Sequence, residues 1–82
     1  MVEFNPSAFK HGVSVADILW AFDHIAHDSL IEQGESETMD KYLLIGFDIN
    51  ANPLEIMYNE IDENTVNVFH AMKCRNIYKH LL

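Results

Sequence analysis

Hydrophobic spacing splits the chain into a helical front and a strand-like remainder. Val15, Ile18, Leu19, Phe22, Ile25 and Ala26 follow the i, i+3, i+4, i+7 rule, which predicts an amphipathic helix. Ser14 and Asp17 make a capping-box-like start for it, with Asp in place of the usual Glu or Gln. Asp17, Asp23 and His24 fall largely on the other side. A short first helix is predicted before it: Asn5 as N-cap, Pro6 at the first helical position, and Phe4 and Phe9 spaced as a hydrophobic staple. Gly12 is its expected C′ residue, so Lys10 and His11 fall in its last turn, where the helix dipole favours positive charge.

From about residue 27 the pattern changes. His27 to Glu32 reads as a weak, edge-like strand and Gly34 to Asp40 as a polar loop. Lys41 to Ile49, Leu54 to Ile61 and Thr65 to Met72 read as strands, separated by Asn50-Ala51-Asn52-Pro53 and Asp62-Glu63-Asn64, which are turn chemistry. In the last strand Val66, Val68, His70 and Met72 are expected on one face, with Phe69 and Ala71 on the other. Short polar connections imply antiparallel hairpins. Asn76 to Leu82 is expected to add a helical turn or two with Ile77, Leu81 and Leu82 inward. The expected fold class is α+β: two N-terminal helices, then an antiparallel meander sheet of three to four strands and a short C-terminal helical tail.

Composition narrows the class. At 82 residues and 49% hydrophobic, the chain is one domain over 1–82 with room for a core and none for a second. Its longest apolar run, Tyr42 to Phe47, falls far short of the roughly 20 residues of a membrane span. The start, Met1-Val2-Glu3-Phe4, carries no basic patch or long apolar stretch, so no signal peptide is expected. Cys74 is alone, which excludes an internal disulfide and points to a reducing, cytoplasmic setting.

Charge then sets up a contrast. The net charge is −8, which repels phosphate backbones at long range and favours basic partners. Every Asp and Glu lies at or before Glu63, whereas residues 64–82 hold His70, Lys73, Arg75, Lys79 and His80 and no acid. This basic end, with Tyr78, combines phosphate-binding groups, proton-transfer groups and an aromatic ring that can stack on a base. Metal-free RNA cleavage needs such parts: a group that takes the proton of a 2′-OH, a cation for the phosphate, and an acid for the leaving oxygen. Lys10 and His11 join them if the first helix packs near that end of the sheet. Solubilising and capping roles account for the same residues on composition alone.

Other chemistry is thinner. There is no glycine-rich phosphate loop, no serine nucleophile elbow and no cysteine pair for zinc. Cys74, flanked by Lys73 and Arg75, is expected to have a lowered pKa if those charges are close, though packing accounts for it better. His24 and His27, beside Asp23 and Asp28, give two metal-ligand types without an identifiable third. No metal or cofactor is assigned.

The sequence Lys10-His11-Gly12-Val13-Ser14 before an amphipathic helix resembles the K-H-G-V-S opening of BrnT-type bacterial toxins. Gly34-Glu35 ahead of a strand with Leu44-Ile45-Gly46 fits the same pattern. So does the ending His70-Ala71-Met72-Lys73-Cys74-Arg75 with Tyr78 after it. The resemblance runs from about Phe4 to the end. It implies a RelE-like ribonuclease toxin of a type II toxin–antitoxin pair, which blocks translation by cutting RNA without a metal and is neutralised by a cognate DNA-binding antitoxin. On that resemblance Lys10, His11 and Arg75 are the expected catalytic residues, Arg75 for phosphate stabilisation and Lys10 or His11 for proton transfer or phosphate contact. His70, Lys73, Tyr78 and Lys79 are secondary candidates for RNA contact. Two alternatives remain: a non-catalytic protein-interaction module of the same fold with a basic partner at an open edge near residues 28–33, and a metal-dependent hydrolase using His24 and His27.

Overall fold

The structure, a computed structural model, describes residues 1–35 and 39–82. Its centre is a five-stranded mixed sheet: β1 (Val2–Phe4), β2 (Ile25–Glu32), β3 (Lys41–Phe47), β4 (Pro53–Asp62) and β5 (Thr65–Lys73), in the order β1-β5-β4-β3-β2. The strands β2 to β5 pair antiparallel in sequence order, while β1 lies parallel to β5, with Phe4 opposite Val68. One α-helix, α1 (Val15–Phe22), packs on the sheet, and 3-10 turns cover Pro6–Phe9 and Asn76–Leu81.

This corrects the expected two helices followed by an antiparallel meander. The first predicted helix is a single 3-10 turn, although its local signals act as read. The Asn5 side chain accepts from the Ser7 N–H at 3.0 Å, the Phe4 and Phe9 rings lie 5.5 Å apart, and Gly12 has a φ of 78°. The turn stops early because Lys10 to Ser14 leaves the helical path at Gly12, whose left-handed backbone suits glycine. Val2 to Phe4, too short to show a period, extends along β5 instead. The Asn5 N–H then donates to the Val68 carbonyl, at the point where the chain leaves the sheet.

The second helix begins where expected, with the Ser14 Oγ accepting from the Asp17 N–H at 3.1 Å, a cap worth about 1 kcal/mol. It ends at Phe22, and Ile25 and Ala26 start β2 rather than continuing its apolar face. Ile18 and Ala21 are buried, while Val15, Leu19 and Trp20 remain exposed.

The strand β3 is apolar on both sides because both faces of the sheet are covered. On one face Leu44, Leu54, Ile56, Tyr58, Val68 and Ala71 pack with Ala8, Ile18 and Ala21. On the other, Leu43, Ile45 and Cys74 form a smaller cluster with Met57, Tyr78 and Leu81. Here the tail serves as a lid through Tyr78 and Leu81, whereas Ile77 and Leu82, expected inward, are exposed. Gly46 lets α1 come close: a Cβ there would fall on the Ala21 carbonyl oxygen.

One irregularity in β5 governs the site. Met57 pairs with His70 but Tyr58 with Val68, so Phe69 is an extra residue, a β-bulge. A one-residue slip reverses the faces of every later residue in the strand. Val68 and Ala71 therefore share the α1 face, and His70 and Met72 lie on the opposite one. This overturns the expected grouping of Val66, Val68, His70 and Met72.

Candidate functional site

The bulge brings His70 to the face that carries Glu55. Glu55 sits on β4 between Leu54 and Ile56, both on the α1 face, and pairs across the sheet with Ile45 and Met72. Its side chain is wholly buried beneath the tail. A bare carboxylate there would cost several kcal/mol, and four hydrogen bonds offset it. The Arg75 backbone N–H and Nε each donate to Oε1 at 2.9 Å. Oε2 accepts from an Arg75 terminal nitrogen at 2.8 Å and from His70 Nε2 at 3.0 Å. The two Arg75 side-chain bonds form a bidentate fork, which sets the plane of the guanidinium.

The same bonds fix the charge state. Burial pushes the Glu55 carboxyl up, but the Arg75 side chain, the Arg75 backbone N–H and His70 together outweigh it and hold the carboxyl below the ordinary carboxylate range. Glu55 is thus ionised, and His70 Nε2 carries the proton of their hydrogen bond, since an ionised carboxylate only accepts. In return, Glu55 raises the pKa of Arg75 further.

Around this buried centre lies an exposed rim. The His11 ring meets the His70 ring edge-on, centroids 5.6 Å apart. The Arg75 guanidinium carbon lies 5.7 Å from the centre of the Tyr78 ring, and the Arg75 side chain is 46% exposed, so one side of it faces water. The N-terminal 3-10 turn delivers His11: Ser7 Oγ donates to the Phe69 carbonyl at the bulge, and the turn runs on along β5.

Of the residues expected to act together, the structure joins His11, His70, Arg75 and Tyr78. Lys10 is exposed, next to His11, with its backbone N–H on the Ser7 carbonyl. Lys73 is exposed and pairs with Leu54, on the opposite face from His70. Lys79 is exposed in the tail and acts electrostatically on Cys74. Burial, with Glu55 next, pushes the Cys74 thiol up against Lys79 and Arg75. Packing thus accounts for Cys74, as expected: it is 3% exposed, and the condition for a lowered thiol pKa is not met.

The two metal-ligand candidates have other engagements. His24 stacks on Trp20 at 4.5 Å with Nδ1 2.8 Å from the Trp20 carbonyl, and His27 Nε2 meets Ser29 Oγ at 2.8 Å. Among the described residues no helix is long and apolar enough to cross a membrane.

Sequence reasoning missed Glu55. In Leu54-Glu55-Ile56-Met57-Tyr58 the alternation puts Glu55 on a solvent face, because nothing local shows that the tail folds over it. The available signal was Glu55 alone among the apolar residues Leu54 to Tyr58, in a chain whose final segment is basic and acid-free.

Fold and cluster together define the class: a small five-stranded mixed sheet with one α-helix, carrying a buried carboxylate that clamps a histidine and an arginine at an open rim. The chain matches no family model, no curated protein and no solved structure.

Proposed function

We propose that this chain is the toxin-like component of a bacterial type II toxin–antitoxin system, acting as a metal-independent ribonuclease that inhibits translation. The observation that supports it most is the meeting of His11 and Arg75, from opposite ends of the chain, around His70 and Glu55. The resemblance to BrnT-type toxins singles out Lys10, His11 and Arg75 without that geometry.

In this reading an imidazole, or Lys10, takes the proton from a ribose 2′-OH and the 2′-oxygen attacks phosphorus. The P–O5′ bond breaks and a second group protonates the departing oxygen, leaving a 2′,3′-cyclic phosphate and a 5′-OH end. The exposed side of Arg75 holds the charge that builds on the phosphate, a role whose loss costs about 10²–10³ in rate. Tyr78 offers a face on which a base stacks. The cognate antitoxin is the expected protein partner.

Growth tests this. Inducing the chain alone in a bacterium is expected to arrest growth, and Arg75→Ala and Lys10→Ala at equal protein level are each expected to relieve the arrest. A soluble, well-expressed parent that leaves growth untouched counts against a toxin.

That outcome favours a second reading, a non-catalytic protein-interaction module. It draws on the edge strand β2, which has no neighbour on its outer side among the described residues and exposes Ile25, Leu30 and Ile31 beside Asp28 and Glu32. An open edge of this kind takes an added strand, and the net −8 selects a basic one.

A further inference from the structure

Resting on the ribonuclease reading, we infer that Glu55 is a positioning residue: it holds His70 and Arg75 as one preformed seat for an RNA phosphodiester, with the His70 ring exchanging a proton there beside His11 and Lys10 left to phosphate contact.

Three observations carry it. First, Glu55 spends all four acceptor positions on two residues, the Arg75 backbone and side chain and the His70 ring. A tether for the tail would need only Arg75. Second, the bond to Nε2 sets the tautomer of the neutral ring, as a carboxylate behind a histidine does generally. Nδ1 is then the nitrogen left with a lone pair to take a proton. Third, the His11 and His70 rings meet edge-on at 5.6 Å, which puts two imidazoles in contact at the same seat. Lys10 has an exposed side chain and stands beside this pair only through its chain neighbour, His11.

The groups facing His70 come from every element packed against it. Glu55 lies on β4, His11 comes after the N-terminal 3-10 turn, and Arg75 leads into the tail. The transfer balances within the cluster. One imidazole receives the 2′-OH proton as the 2′-O–P bond forms, and the other gives its proton to O5′ as the P–O5′ bond breaks. No metal ion, water or redox partner is consumed.

The test uses the full chain, imidazole NMR and a short 2′-O-methyl RNA, which binds but lacks the attacking hydroxyl. In the parent, the neutral His70 ring is expected as the Nε2–H tautomer, and the probe is expected to move the His70 and His11 signals. Glu55→Gln, if folded by circular dichroism, is expected to lose that tautomer preference and bind the probe roughly ten-fold more weakly. Glu55→Asp, which keeps the charge one methylene further back, recovers part of the affinity. If Glu55→Gln does not fold, the parent tautomer and a several-fold loss of probe affinity in His70→Gln decide. An Nδ1–H ring in the parent, unmoved His70 and His11 signals, or full probe affinity in folded Glu55→Gln overturns the inference.

Failure of the two proposals reads differently. A parent that seats the probe but leaves ordinary RNA intact sinks the ribonuclease reading and keeps the Glu55 seat. A parent that cuts RNA only as well as folded Glu55→Gln does keeps the ribonuclease and removes Glu55 from its site.

Discussion

Glu55→Ala is expected to lose about 3 kcal/mol of stability, toward the low end for breaking a buried ion pair. The substitution takes away the acceptor of four hydrogen bonds and leaves a void under the tail. Arg75 is half exposed and turns to water, which limits the cost, while its backbone N–H and the His70 ring lose their partner. The tail then detaches from Leu43 and Ile45, whose cover it supplies. The loss depends on pH with a definite sign. A carboxyl held below its ordinary range contributes stability that is complete above that range and disappears as pH falls through its own, lower value. Urea unfolding at about pH 7 and about pH 3 is expected to show the parent and Glu55→Ala converging in acid. Equal stability of the two near neutrality would mean that the clamp contributes nothing to the fold.

Gly46→Ala is expected to cost roughly 2–3 kcal/mol, in the range of overpacked cores. The added methyl falls on the Ala21 carbonyl oxygen and lies 3.0 Å from both the Ala21 carbonyl carbon and its Cβ. These are backbone and a short side chain, so α1 itself has to shift. The usual gain of replacing a strand glycine, about 0.5–1 kcal/mol, is smaller than this clash. Trp20, stacked on His24 at the end of α1, reports the displacement through its fluorescence. An unchanged unfolding midpoint with unchanged Trp20 emission would show that α1 yields freely. The site lies on the opposite face of the sheet, so folded Gly46→Ala separates stability from activity.

Two caps and three strands were legible because their signals are local. Asn5 caps the first 3-10 turn and Ser14 caps α1, and β3, β4 and β5 lie within a residue or two of their predicted spans. Asp48 adds to the β3–β4 turn by accepting from the Asn50 and Asn52 N–H groups, which lets Ala51 adopt a φ of 64°. The failures concern what no local window contains. Three residues, Val2 to Phe4, show no period, yet they add a parallel strand to β5. Ile25 and Ala26 fit the helical spacing of α1 equally well as the start of β2, and sheet pairing with Gly46 decides the matter. The extra residue at Phe69 leaves the composition of β5 unchanged and reverses half of its side chains.

The site divides the same way. His11 and Arg75 stand out as residue types, but their link runs through Glu55, buried by a tail whose docking depends on Tyr78 and Leu81. Lys41, the one basic residue near the polar loop, pairs with Glu32 at 3.2 Å across the β2–β3 edge. That surface pair contributes at most about 1 kcal/mol and is separated from β5 by β4. The residues Ser36 to Thr38 of the predicted Gly34–Asp40 loop lie outside the described residues.

The most direct test of the account is to incubate the purified chain with end-labelled RNA in excess chelator, beside Arg75→Ala and folded Gly46→Ala. Cleavage that leaves 2′,3′-cyclic phosphate ends, survives Gly46→Ala and falls by about 10²-fold or more in Arg75→Ala is the predicted result. Intact RNA with the folded parent, or equal cleavage by Arg75→Ala, would contradict it.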